Sequence, residues 1–246
     1  MSAVTSAAPL RAERASARLL PRALVGIATA LTILGASLAL LLTPLWTHWA
    51  LDAAGSERFT GQDIVGVYSV SDRTIGDLVW GPGTFGRDET CTPGNRVLTA
   101  DLYRCFYDAA EASHLRDARV VLYGFAAVVL VSAIGLGVAA ARTHDRASFW
   151  GAVSRGAGTL AVVFALLGVF FLVAFDAAFT LFHQIFFPGG NWAFDPSTQR
   201  LVQLYPIPFW QLTSMALGTL TIAGGALVWW IARRRAGFHE EREPRA

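Results

Sequence analysis

The chain has 246 residues, of which 54% are hydrophobic and only 15% charged, with a formal net charge of +2. That composition excludes an ordinary soluble domain, in which about a quarter of the residues are charged. The small positive balance carries no nucleic-acid signal, because the basic residues fall into separate groups and not one patch. Every basic side chain is arginine: Arg11, Arg14, Arg18 and Arg22; then Arg142, Arg146 and Arg155; then Arg233, Arg234 and Arg235 form the groups that flank apolar runs.

Four such runs follow in chain order, each long enough to cross about 30 Å of hydrocarbon as a helix. A basic segment, 1–22, leads into the first span at 23–42. Its apolar run is longer than a signal-peptide core and no small-x-small cleavage pattern follows at 43–54, so it reads as a retained helix. Residues 43–119 form the one sizeable hydrophilic block, punctuated by Gly81-Pro82-Gly83 and Pro93-Gly94-Asn95. Within it, 68–80 fits a helix or a short strand equally well, whereas 101–114 looks helical. The second span at 120–141, a connection at 142–157, the third span at 158–182, a loop at 183–208, the fourth span at 209–232 and a tail at 233–246 complete the order. The expected fold is an all-α membrane protein of four transmembrane helices. The positive-inside rule puts the three arginine groups in the cytoplasm, hence both termini inside, and makes 43–119 a small extracytoplasmic cap.

Both cysteines, Cys91 and Cys105, fall in that outer block. An oxidising compartment favours a disulfide between them; two unrelated free thiols are the alternative. Neither sits in a motif that would activate a nucleophile. Trp46, Trp49, Trp192 and Trp210 fall near the outer ends of the spans and Trp229 and Trp230 near the inner end of the fourth, as aromatic belts require.

Ionisable side chains near a bilayer cost several kcal/mol by insertion scales and persist mainly where they are paired, hydrated or used. Asp176 and His183 lie seven residues apart at the end of the third run, which in one continuous helix puts them on one face about 10 Å apart. His114 opens His114-Leu115-Arg116-Asp117-Ala118-Arg119 just ahead of the second span, with Asp117 at i+3 able to orient its ring. His144 and His239 are polar-flanked, and His48 sits between interfacial tryptophans. Two imidazoles at one depth, backed by carboxylates, suit proton transfer near neutral pH; they also suit metal binding or interfacial packing, and spacing alone leaves the three open.

The block from Asp176 through His183-Gln184-Ile185-Phe186-Phe187-Pro188-Gly189-Gly190-Asn191-Trp192-Ala193-Phe194, continued by Leu201 to Trp210, resembles the lipoprotein intramolecular transacylase family of bacterial membrane proteins. His114-Leu115-Arg116-Asp117-Ala118-Arg119 is similar to that family's second histidine motif. The resemblance implies a multi-pass protein of the bacterial cytoplasmic membrane with an extracytoplasmic active face. It also implies transfer of the sn-2 acyl chain of a diacylglyceryl cysteine to that cysteine's own α-amino group, without cofactor or metal. His114 and His183 are then the catalytic pair, with Asp117, Asp176, Trp192 and Tyr205 in support, and the partners are a bacterial lipoprotein or lipid substrate and the bilayer. A reading of a different class is a non-catalytic membrane protein whose cap binds a partner or a metal. A transporter ranks third, because Asp176 is its one intramembrane ionisable residue.

The arginine asymmetry has a direct test. After reduction, a membrane-impermeant maleimide should label Cys91 and Cys105 in intact cells, and labelling confined to lysed cells would reverse the orientation.

Overall fold

The computed structural model describes residues 8–87 and 103–240, and every regular element among them is helical. In chain order these are α1 (Ala8–Leu41), α2 (Pro44–Ala54), α3 (Ser56–Thr60), α4 (Ile64–Val79), α5 (Ala109–Arg142), α6 (Arg146–Val173), α7 (Phe175–Phe186), α8 (Arg200–Leu204) and α9 (Ile207–Glu240). Four stretches are long and apolar enough to cross a membrane: Pro21–Leu41, Ala109–Arg142, Arg146–Val173 and Ile207–Gly237. Helices satisfy their own backbone hydrogen bonds, which hydrocarbon cannot do for them.

The third apolar run departs from expectation. It is not one helix over 158–182: α6 stops at Val173, Ala174 takes a non-helical φ of −139° and ψ of 52°, and α7 restarts at Phe175 with Asp176 in its first turn. Neither proline nor glycine marks the break, so the local sequence does not announce it. The ambiguous stretch at 68–80 is helix. Asp63 caps α4, its carboxylate accepting from the Gly66 amide at 2.7 Å, and Val67, Val70, Ser71, Thr74 and Asp77 fall on one buried face at helical spacing.

The chain divides into two compact units, 1–36 with 127–165 and 220–246, and 37–126 with 166–219. In the first, small residues bring helix backbones together. A methyl group on Gly156 would sit 2.6 Å from the Gly26 Cα and 2.7 Å from its carbonyl carbon, whereas a methyl on Gly26 would meet nothing nearer than 3.5 Å. Close approach of this kind is how helices associate when the surrounding lipid is as apolar as they are. The second unit has a core around Leu51, Val67, Val70, Phe85, Tyr107 and Leu204, all almost wholly enclosed.

Hydroxyls thread that core along α4. Ser71 and the Tyr205 hydroxyl share a hydrogen bond of 3.1 Å, Thr74 and the Tyr107 hydroxyl one of 2.8 Å, and the Tyr103 hydroxyl donates to Asp77 at 2.9 Å. Asp77 also accepts from the Phe85 amide at 2.8 Å, so the buried carboxylate is satisfied, as its burial demands. Burial pushes the Tyr103 and Tyr205 hydroxyls well above the ordinary tyrosine range, which keeps both as neutral donors. At the foot of α4, the Arg119 guanidinium donates to the Asp77 carbonyl at 2.9 Å and to the Tyr123 hydroxyl at 2.8 Å, and Tyr123 in turn donates to the Val79 carbonyl. Arg119 thereby ties the start of the second span to carbonyls that the end of α4 leaves unpaired.

The glycine contact predicts an asymmetry in stability. Gly156→Ala should cost about 1–3 kcal/mol, the usual penalty of overpacking, and Gly26→Ala clearly less. Thermal unfolding of both variants in one detergent measures it, and equal losses would contradict the close approach.

Candidate active site

Two elements of the second unit deliver the histidines. At a rise of 1.5 Å per residue α5 is about 50 Å long, some 20 Å more than the hydrocarbon requires. Its surplus lies at the start, where Glu111, Arg116, Asp117 and Arg119 interrupt the apolar pattern, and His114 sits there, ahead of the apolar stretch that begins at Val120. His183 lies in the last turn of α7, beyond the end of α6.

The two rings meet. Their centroids are 5.9 Å apart with planes inclined by 26°, and the residues are only 9% and 8% exposed. Phe187 lies 4.6 Å and Phe194 5.5 Å from the His114 ring, while Phe179 at 4.1 Å, Trp192 at 5.0 Å and Phe182 at 5.3 Å pack on His183. The enclosure is aromatic on most sides, and its consequence is electrostatic. Burial drives the His114 ring down from 6.5 to about 4, with His183 adding to the shift, while a hydrogen bond that the ring donates to Asn191 and the Asp117 charge oppose it. Burial lowers His183 too, against a hydrogen bond with the Phe179 carbonyl. Both imidazoles are therefore neutral at neutral pH.

Their nitrogens differ. His183 Nδ1 lies 2.8 Å from the Phe179 carbonyl oxygen. A carbonyl only accepts, so Nδ1 carries the proton and Nε2 keeps its lone pair. His114 Nδ1 is buried and has no hydrogen-bond partner.

The expected supporting residues are placed unequally. Trp192 packs on His183. Asp117 does not bond His114 directly: its carboxylate accepts from the Asn191 side-chain amide at 2.6 Å. Asn191, which follows Gly190 in a positive-φ turn (φ 75°), is the functional candidate that the sequence reading missed. Its signal was a lone polar side chain between that turn and Trp192. Asp176 is exposed in the first turn of α7, the helix that also carries His183, and forms no hydrogen bond or ion pair among the described residues. Tyr205 is buried, shares a hydrogen bond with Ser71 and packs against the Phe209 and Trp210 rings, with Trp210 and Phe179 standing between it and His183. His48 is engaged elsewhere, with Nε2 2.8 Å from Asp72 and its ring stacked on Tyr68 at 4.0 Å. Cys105 is disulfide-bonded; Cys91, the other half of the expected pair, lies outside the described residues. Among the described residues, no three His, Cys, Asp or Glu side chains converge in a way that holds a metal.

Comparison with known proteins agrees with this layout. Residues 93–210 match the profile of the family described as lipoprotein intramolecular transacylase Lit. That segment, just under half of the chain, belongs to the family. The matched segment includes His114, Asp117, His183, Asn191, Trp192 and Tyr205. The membrane-integral lipoprotein intramolecular transacylase of Bacillus cereus superposes with a TM-score of 0.70 over 92% of this chain and 99% of its own, at 16% identity. A second structure of that protein, with one histidine replaced by arginine, gives 0.68 over 97% and 100% at 15% identity. At such identities the likeness establishes the fold. An uncharacterized protein of Aquifex aeolicus (strain VF5) is 28% identical over 127 residues, which is 51% of this chain and 55% of that protein. The match thus spans little more than half of that relative's length.

The aromatic enclosure predicts how the rings titrate. In histidine-labelled protein, nuclear magnetic resonance should find both imidazoles protonating below 6.5, His114 near 4. The unfolded chain takes up protons first, so these rings cost nothing above about pH 6.5 and subtract stability as pH falls from there toward 4. Ordinary titration of both rings would contradict the enclosure.

Proposed function

We propose that the protein is an intramolecular lipoprotein transacylase that works by histidine-mediated acid–base catalysis, moving the sn-2 acyl chain of a diacylglyceryl cysteine to that cysteine's α-amine. The observation that carries the reading is the pair of neutral, buried imidazoles 5.9 Å apart inside the segment that matches the family. An α-amine has a pKa near 8, so at neutral pH it must lose a proton before it attacks an ester. His183 Nε2, whose lone pair is free because Nδ1 is committed to Phe179, takes a proton from the attacking nitrogen. The new N–C bond forms a tetrahedral oxyanion. His114 serves this charge best through Nε2–H, since an unpaired acceptor at its buried Nδ1 is easier to tolerate than an unpaired N–H.

Collapse breaks the C–O bond to glycerol, and the proton held by His183 passes to the departing oxygen. Counted from the neutral amine the sequence is proton-neutral, the proton that the ammonium form gives up beforehand being released to solvent, and the product is an amide with a free glycerol hydroxyl. Amine and ester belong to one substrate, so proximity replaces an activated acyl donor. Asn191, held by Asp117, orients His114. The charge asymmetry supports an active face outside the cytoplasmic membrane of a bacterium, with 1–22, 142–157 and 233–246 inside.

Removing either imidazole should cost about 10²- to 10⁴-fold in acyl transfer, the worth of one positioned proton-transfer group. His114→Ala and His183→Ala should therefore be inactive at normal membrane levels, Asp117→Asn impaired more mildly, and His48→Ala and His144→Ala active. Mass spectrometry of a diacylated lipoprotein, scored for the N-acylated lyso form, reads the outcome. Near-normal turnover in either of the first two variants would remove that histidine from catalysis.

A further inference from the structure

The second unit contains one fully buried carboxylate that the chemistry above does not use. Glu111, with 0% exposure, sits one turn before His114 on α5. Its Oε2 accepts from the Asp108 amide at 2.6 Å while Asp108 accepts from the Glu111 amide at 2.8 Å, a reciprocal bond that starts the helix. A cap of this kind ordinarily stands at the surface. Here the second oxygen, Oε1, accepts from the Leu201 amide at 2.7 Å, across 90 residues of sequence. Asp108 adds a parallel tie, accepting from the Gln199 side chain at 3.1 Å.

Gln199 ends the loop that leaves α7 at Phe187 and carries Asn191, Trp192 and Phe194, and Leu201 lies in the first turn of α8 that follows it. That loop supplies part of the histidine enclosure: Phe194 on His114, Trp192 on His183, and Asn191 on Asp117. It is thus fastened to α5 at two levels, by Asp117 near its start and by Glu111 and Asp108 at its end, with His114 between them on the same helix.

We propose that Glu111 is a positioning residue for acyl transfer, holding the 187–200 loop closed over the His114–His183 pair. This rests on the reading of that pair as the acyl-transfer residues. A carboxylate can serve both amide donors at once. Glutamine offers one oxygen and turns an amino group toward the other N–H, leaving a buried donor unsatisfied. Releasing the loop end lets water reach the rings, whose other charged or titratable neighbours are each other and Asp117.

The test combines two measurements on Glu111→Gln and on the gentler Gln199→Ala, in full-length protein reconstituted in bilayers. The first is ring titration of His114 and His183 by nuclear magnetic resonance, which needs no activity. The second is turnover of a synthetic diacylated lipopeptide. For folded Glu111→Gln, we expect at least one ring to titrate about one unit higher as burial is relieved. We also expect kcat to fall about 10- to 100-fold through misplacement, with KM little changed; Gln199→Ala should shift both in the same direction by less. Unchanged ring titration in the folded variant, or a loss expressed only in KM, would overturn the proposal. If Glu111→Gln fails to fold, unchanged rings and kcat in Gln199→Ala overturn it equally. Wild-type protein inactive on every diacylated lipopeptide would sink the transacylase reading instead, while the ring shifts would still report whether Glu111 closes the loop.

Discussion

Everything about the candidate site depends on keeping two imidazoles dry. A histidine in water is half charged near pH 6.5; enclosed by Phe179, Phe182, Phe187, Trp192 and Phe194, both rings are held neutral. Neutrality is what gives His183 a usable lone pair, while His114 keeps one N–H to donate. The cost is desolvation, and the structure offsets it with few polar contacts: the Phe179 carbonyl for one ring and the Asn191–Asp117 pair beside the other.

The enclosure is assembled from segments far apart in sequence, so its supports are long-range. α5 projects about 20 Å beyond what the hydrocarbon needs, and that surplus, with the Asp108 that caps it, supplies the acidic anchors of the loop: Asp108, Glu111 and Asp117. On its other side, Arg119 locks the same helix to the end of α4, whose buried face holds the hydroxyls of Tyr103, Tyr107 and Tyr205 in register. A helix that spans the membrane and then continues can serve as anchor and as active-site wall, because its rise is fixed by its own hydrogen bonds.

What could be read from sequence follows from the range of each signal. Four spans were legible because length and apolarity are local properties that hydrocarbon enforces. His114 and His183 were legible because imidazoles at the ends of apolar runs stand out, and the resemblance to a known family joined them. The break at Ala174 was not legible, since no proline or glycine signals it, although Asp176 and His183 still share the helix that follows. Asp117 was rightly brought near the pair but assigned the wrong contact. Its hydrogen bond reaches 74 residues along the chain to Asn191, and single-residue spacing holds no information about such pairings. Glu111 drew no reading from sequence for the same reason, its partner Leu201 lying 90 residues away. The stretch at 68–80, ambiguous by periodicity, was settled by the Asp63 cap and by burial along one helical face.

The central claim, that this pair moves an acyl chain within one lipoprotein molecule, is tested most directly by a crossover experiment. Two diacylated lipopeptides of different peptide mass, one with an isotopically labelled sn-2 chain, are mixed with the purified protein in bilayers and the products resolved by mass spectrometry. Intramolecular transfer predicts that each label ends as an amide on the peptide that began with it, leaving lyso glycerol on the same molecule. Label on the other peptide, or no amide formed at all, would contradict it.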